Sequence, residues 1–280
     1  MDPAELLGAD SKALLADWRD RSVSVDRLLA LLGRGHSLAF AVEKWGRAGL
    51  WVVTRSDSAY PKHLKAKLRK RSPPVLFGCG DKSLLGRGGI AVVGSRDAGG
   101  ADLLFAKQLG AKAASEGVTV VSGGAKGIDD AAMQGAAQAE GSAVGVLANN
   151  LLGAATSSKW REGIMDDRVV LVSPFNPEAG FNAGNAMARN KYIYCLADAA
   201  LVVHSGKTGG TYEGATENLK NGWVPLFVKP SQDQNAANDE LVCKGGRWCD
   251  EQARSVNLAE LLAATSKKSD LPVQKQPDMF

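Results

Sequence analysis

The sequence is poor in the residues from which metal and redox centres are built. Its four cysteines, Cys79, Cys195, Cys243 and Cys249, form no C-x-x-C pair, and its three histidines, His36, His63 and His204, do not stand at metal-ligand spacing. Neither a zinc site nor a thiol redox motif is expected, no metal or cofactor is assigned, and the thiols read as structural. Aromatics are only 6% of the 280 residues, so few rings are available for stacking. Long unbroken apolar runs are missing, each being interrupted by Gly, Lys or Asp. The opening MDPAELLGAD has neither a basic region nor an apolar core. A membrane span and a leader are therefore not expected, and a cytoplasmic protein is. There is no internal repeat. The formal net charge of +4 permits an anionic partner without requiring one, so local clustering of cations must carry that argument.

What the sequence does contain is 45% hydrophobic residues, enough for a sizeable core. Apolar residues recur at helical spacing from Leu14 to Trp45, which predicts a small helical domain over residues 1–72. A basic segment from Lys62 to Arg71 follows, and Pro73-Pro74 marks the boundary, because proline biases its predecessor to extended geometry. Continuous apolar runs at 75–79, 89–93, 118–121, 143–147, 169–172, 200–203 and 224–228 suit strands buried on both faces. Helical patterns at 101–115, 128–140, 184–196 and 212–221 alternate with them. The expected fold class is α/β: an extended Rossmann-like, doubly wound, mostly parallel sheet over 73–264. The stretch SQDQNAANDE reads as a loop, 258–264 as a last short helix, and 265–280 as a disordered tail.

Ligands of open α/β sheets bind beyond the carboxyl ends of the strands, and three loops there share one character. They are Gly94-Ser95-Arg96, then Ser122-Gly123-Gly124-Ala125-Lys126-Gly127-Ile128-Asp129, and finally Ser205-Gly206-Lys207-Thr208-Gly209-Gly210-Thr211. Each sets small residues, backbone donors, a hydroxyl and a cation at the start of a helix, where free N–H groups and the helix dipole favour a phosphate. Two enzyme motifs fail. Gly206-Lys207-Thr208 imitates the end of a phosphate loop, but Leu201, inside a strand, stands at the motif's first glycine. The first strand is followed by Gly94-Ser95-Arg96 rather than G-x-G-x-x-G, and the second ends in Ser122-Gly123 rather than an acid. A fourth feature, Ala188-Arg189-Asn190-Lys191, reads either as a solvated basic helix face or as a cation pair aimed at a phosphate. Ring candidates near the loops are Trp160, Phe175, Phe181, Tyr192 and Tyr212, and Lys159, Trp160 and Arg161 are a candidate accessory edge on a loop over 149–161.

Together with Tyr60-Pro61 and Pro73-Pro74-Val75-Leu76-Phe77, the Gly94, Ser122–Asp129 and Ala188–Lys191 motifs resemble, in order, the signature of the DNA-processing protein A (DprA/Smf) family. The resemblance covers roughly residues 50–264, within the Rossmann-like LOG/SLOG superfamily. It implies a non-enzymatic protein that binds single-stranded DNA in a basic pocket, forms homodimers, and loads a RecA-type recombinase in recombination and natural transformation. The positions carried over are Gly94, Ser95, Arg96, Ser122, Gly123, Gly124, Lys126, Gly127, Asp129, Arg189 and Lys191. Lys207, Thr208, Gly209, Gly210 and Thr211 join them from the third loop. The sequence departs from the family at Lys126, where an arginine is usual and bidentate geometry is lost, and in the third loop. There, Gly209-Gly210-Thr211-Tyr212-Glu213 is similar to a LOG phosphoribohydrolase motif, which makes Arg189 and Glu213 catalytic candidates in an alternative reading as a nucleotide N-glycosidase or nucleotide sensor. A third reading is an interaction module with a vestigial pocket.

Overall fold

The computed structural model describes residues 5–6 and 10–264; the tail expected over 265–280 lies outside the described residues. The chain divides into two units, Met1–Ala48 and Gly49–Phe280. The first holds, among its described residues, the α-helices α1 (Ser11–Leu14), α2 (Val25–Leu32) and α3 (Gly35–Arg47). Two of them start on side-chain caps: Asp10 accepts from the Ala13 N–H, and Ser24 Oγ from the Arg27 N–H, both at 3.2 Å.

The second unit is built on one nine-stranded sheet. Its strands are β1 (Trp51–Thr54), β2 (Val75–Cys79), β3 (Ile90–Val93), β4 (Val120–Ser122), β5 (Ala143–Val146), β6 (Val169–Ser173), β7 (Ala199–Val202), β8 (Leu226–Val228) and β9 (Arg247–Trp248). Its helices are α4 (Lys62–Leu68), α5 (Gly100–Ser115), α6 (Ile128–Gln138), α7 (Leu151–Ala155), α8 (Ser158–Met165), α9 (Ala183–Leu196), α10 (Gly210–Asn221), α11 (Asn238–Cys243) and α12 (Leu258–Ala263). The strand order is β1-β2-β6-β5-β4-β3-β7-β8-β9. Only the β1–β2 and β2–β6 pairs are antiparallel; the rest run parallel. This is the expected doubly wound, mostly parallel α/β fold. Every residue of β3 through β8 is buried, which is why those strands read as unbroken apolar runs.

The sheet starts earlier than the boundary placed at Pro73-Pro74. Four residues, Trp-Val-Val-Thr, form β1 and pair antiparallel with β2, Trp51 lying opposite Gly78. A Cβ on Gly78 would stand 2.4 Å from the Trp51 ring, so the glycine is what lets the indole lie over the sheet, its Nε1 donating to the Gly80 carbonyl at 2.9 Å. The basic segment contains α4, turned inward by the buried Leu64 and Leu68 and ended by a short 3-10 turn, Arg69–Arg71. Residues 149–161 are not an open loop but α7 and the start of α8: Asn150, at φ 47, caps α7 by accepting from the Gly153 N–H.

Helices α5 and α6 approach closely through two glycines. A Cβ on Gly110 would lie 2.1 Å from the Ala132 carbonyl oxygen, and one on Gly135 2.0 Å from that of Lys107. Helix α9 packs against α10 and α4 and over β3, β4 and β5; right-handed crossovers set it on the face opposite α5 and α6. Among the described residues no helix is long and apolar enough to cross a membrane.

Candidate functional site

Strand β3 lies between β4 and β7. The chain leaves β3 toward β4 on one side and reaches β7 from the far side of the sheet, so the loops after β3 and β7 separate and open a crevice at their carboxyl ends. A cavity of about 370 Å³ occupies it. Its walls are Gly94, Ser95, Arg96 and Asp97 after β3; Ala125 and Asp129 after β4; Arg189, Asn190, Ile193 and Tyr194 on α9; Thr208, Gly209, Gly210 and Thr211 leading into α10; and Phe181 and Met187 at its edge. The loops are fastened to one another. Ser95 N–H donates to the His204 carbonyl at 2.9 Å, and Asn190 Nδ2 to the Gly210 carbonyl at 2.8 Å. Behind the third loop, Asn238 accepts from the Ser205 N–H and donates to the Val203 and Lys229 carbonyls. That staple lies in a stretch whose composition reads as a loop.

At the base of the cavity sits a buried ion pair. Arg189 is 4% exposed, and its Nη1 lies 3.7 Å from Asp129 Oδ2, too long for a hydrogen bond. Asp129 is held by backbone donors, Oδ1 accepting from the Gly94 N–H at 3.3 Å and Oδ2 from the Gly123 N–H at 3.1 Å. Arg189 Nε and Nη1 are buried and have no hydrogen-bond partner in the protein. Each such donor costs about 1–3 kcal/mol. A guanidinium with unpaired N–H groups at the wall of a cavity favours an anion with acceptor oxygens over a neutral apolar ligand.

Burial pushes the Asp129 carboxyl up to about 6, against the pull of Arg189, of the Gly94 and Gly123 N–H groups and of Arg96. Burial likewise lowers the Arg189 value, opposed by Asp129, yet a guanidinium remains charged. The carboxyl binds its proton more tightly in the folded chain than at its ordinary value of 3.8. Its contribution to stability is therefore complete below 3.8 and is lost as pH rises to about 6, a loss of about 3 kcal/mol. Urea midpoints measured across that window are expected to fall with pH in the parent and to stay level in Asp129→Asn; an unchanged slope in the variant assigns the titration to another group. Asp57, Asp81 and Asp233, lowered by hydrogen bonds, act below 3.8 and in the opposite direction.

The structure separates residues that the sequence groups together. Gly94, Ser95, Arg96, Asp129, Arg189 and Thr208 through Thr211 line the cavity. Ser122 is buried and donates to the Val92 carbonyl at 2.6 Å. Gly123 lies directly behind the pair: a Cβ there would stand 1.3 Å from Arg189 Nη1. Gly124 takes φ +61 beside Leu147. Lys126 and Gly127 line a second cavity with Lys107, which shares Arg96 and Asp97 with the first. Lys191, two residues beyond Arg189 and so about 200° around the helix, is absent from the lining and lies over the Tyr192 ring. Lys207 and Glu213 are exposed and also outside the lining, so Glu213 does not join Arg189 in the cavity.

Of the five ring candidates, Phe181 alone lines the cavity; it is 62% exposed, with the Arg96 guanidinium 5.2 Å from its centroid. Tyr212 turns to Glu240 and Lys244, and Trp160 is buried. Lys159 pairs with Asp130, which neutralises one of the two cations of the expected accessory edge. Asn190, Met187 and Tyr194 were not singled out by sequence; only Asn190, inside the Arg189–Lys191 motif, carried a readable signal.

Residues 51–259 match the family described as DNA recombination-mediator protein A. Protein Smf of Escherichia coli (strain K12) is 30% identical over 203 residues, 72% of this chain and 52% of its own length. DNA processing protein DprA of Bacillus subtilis (strain 168) is 28% identical over 180 residues, 62% of this chain and 59% of its own. The chain thus spans somewhat more than half the length of these relatives. Among solved structures, DNA processing protein A of Streptococcus pneumoniae superposes with a TM-score of 0.64 at 24% identity, over 76% of this chain and 74% of that one. DNA processing protein A of Helicobacter pylori gives 0.62 at 21%, over 79% and 98%. These two likenesses are of fold.

Proposed function

The chain belongs to the DNA recombination-mediator protein A family, and from that premise we propose that it is a non-enzymatic DNA-processing protein that holds single-stranded DNA by its phosphates. DNA processing protein A of Helicobacter pylori, which shares the fold, binds single-stranded DNA. The observation that carries the reading is the buried Arg189 guanidinium, facing the cavity with Nε and Nη1 unbonded. In this reading Arg189 takes one phosphate, and the first N–H groups of α10 close around it. At the mouth, Arg96 faces a neighbouring phosphate and Phe181 offers a face for a base. Stacking and phosphate contacts tolerate every base, so little sequence preference follows. A RecA-type recombinase and a second copy of the chain are the protein partners that family membership suggests.

The test is a titration with fluorescent single- and double-stranded oligonucleotides at two salt concentrations, with a nucleoside monophosphate as competitor. Single-strand preference with a steep salt slope supports the reading. Arg96→Ala is expected to weaken binding to all single strands alike and to shallow the salt slope by about 0.7, the share of one phosphate contact. Unchanged affinity in that variant removes Arg96 from the interface. A second reading, a nucleotide sensor, is favoured by one observation: a cavity of about 370 Å³ lies in the range of small-molecule sites, about 300–1,000 Å³. Full displacement of DNA by the monophosphate selects it. The hydrolytic form of that reading needs Glu213 beside the ligand, and Glu213 lies outside the lining.

A further inference from the structure

Between residues 55 and 71 the chain carries seven Lys or Arg and one acid, Asp57. That acid is occupied, its Oδ2 accepting from the Thr54 N–H at 2.7 Å and Oγ1 at 3.0 Å. The cations are fastened instead to neutral oxygens: Lys65 Nζ to the Arg55 carbonyl at 3.2 Å, Arg55 to the Lys70 carbonyl at 3.3 Å, and Lys67 Nζ to the Ala197 carbonyl at 2.6 Å. Elsewhere the basic residues Lys112, Arg168 and Lys229 pair with carboxylates. Lys62, Lys65 and Lys70 are exposed, and among the described residues no carboxylate pairs with them.

This ridge sits at a defined place relative to the cavity. Helix α4 packs against α9, and Lys67 reaches the residue that ends α9. The opposite end of α9 lines the cavity through Ala183 and Ala186. With 14 residues, α9 spans about 21 Å at ~1.5 Å per residue. Lys191 lies partway along it on the side away from the cavity. Asp198 and Glu217 are the acids at the inner margin of the ridge.

We propose that the ridge from Arg55 to Arg71 is a second binding surface for the phosphodiester backbone, engaging the part of a strand that the cavity is too small to hold. This rests on the reading of the cavity as a DNA phosphate site. Composition decides the class of partner. The cores of protein–protein interfaces are depleted of Lys and anchored by apolar or aromatic side chains, and membrane-surface binding needs an apolar face beside the charges. The ridge is lysine-rich, and none of the exposed large apolar side chains falls between residues 55 and 71. A flexible polyanion is what such a surface fits.

The experiment compares Lys62→Ala/Lys65→Ala/Lys70→Ala with Arg96→Ala on strands of about four and about sixteen nucleotides, the range a single groove occupies. The buried Leu64 and Leu68 that anchor α4 are untouched, and a thermal melt checks folding. For the triple variant, affinity for the short strand is expected to be unchanged. For the long strand, the salt slope is expected to become shallower by about 2, three contacts at ~0.7 each. Arg96→Ala weakens both lengths. A long-strand slope equal to the parent's overturns the ridge and leaves the cavity standing, whereas loss in the triple variant with none in Arg96→Ala or Arg189→Met supports the ridge and overturns the cavity.

Discussion

Arg189→Met is expected to reduce affinity for single-stranded DNA by at least about 100-fold while leaving the fold intact. Two charge-assisted hydrogen bonds at about 1.5–3 kcal/mol each are lost, and the methionine keeps most of the buried stem. Breaking a buried pair ordinarily costs about 3–5 kcal/mol because a bare charge is left behind. Here the remaining carboxyl already titrates at about 6 and escapes by taking a proton, so the variant should lose more stability at pH 7 than at pH 5. Ligand should also protect the two proteins differently. Saturating oligonucleotide at ~100 times the parent's Kd raises the parent's stability by about 2.7 kcal/mol, and the same concentration should raise the variant's by about 0.4 kcal/mol or less. Because an incoming phosphate, unlike Arg189, favours a neutral Asp129, binding by the parent should weaken as pH rises through about 6. A folded Arg189→Met protein that binds as tightly as the parent would falsify the phosphate role.

The parallel strands were legible because each is buried on both faces and therefore continuous in apolar residues; β1 was not, being four residues at an edge with mixed burial. Helix α4 was hidden by its own charges, since only Leu64 and Leu68 face inward. The three Gly-rich loops could be read because glycine there answers a local need, as at Gly127, whose φ is +96 and whose Cβ would stand 2.6 Å from the Ser95 carbonyl oxygen. Which charged residue enters the cavity was harder to read. Arg189 and Lys191 belong to one short motif, but a helix turns them to different sides, and the rotation is set by Ile193, Tyr194 and Leu196 packing in the core. Asp129 could be placed in the site, but its task could not. Only its contacts with Gly94, Gly123 and Arg189 tie it to the two loops and set it beside the guanidinium.

Those contacts make Gly123→Ala as damaging as removing the arginine, although it deletes no charge. The added Cβ would stand 1.3 Å from Arg189 Nη1 and 2.4 Å from Asp129 Oδ2, so the guanidinium must leave its position, and overpacking of this kind costs about 1–3 kcal/mol. Loss of DNA binding should match that of Arg189→Met, and the double variant should be no worse than either single one, because both remove the same interaction. Gly100→Ala, in the first turn of α5 with no atom within 4 Å of the new Cβ, controls for replacing a glycine near the site and should bind like the parent. If Gly123→Ala binds normally while Arg189→Met does not, the arginine meets its ligand from a different position, and the tight stack of Gly123, Asp129 and Arg189 is not what aims it. If both fail together, the glycine of the second loop is explained without any contact to DNA: it leaves room for a buried cation, and the cation makes the site.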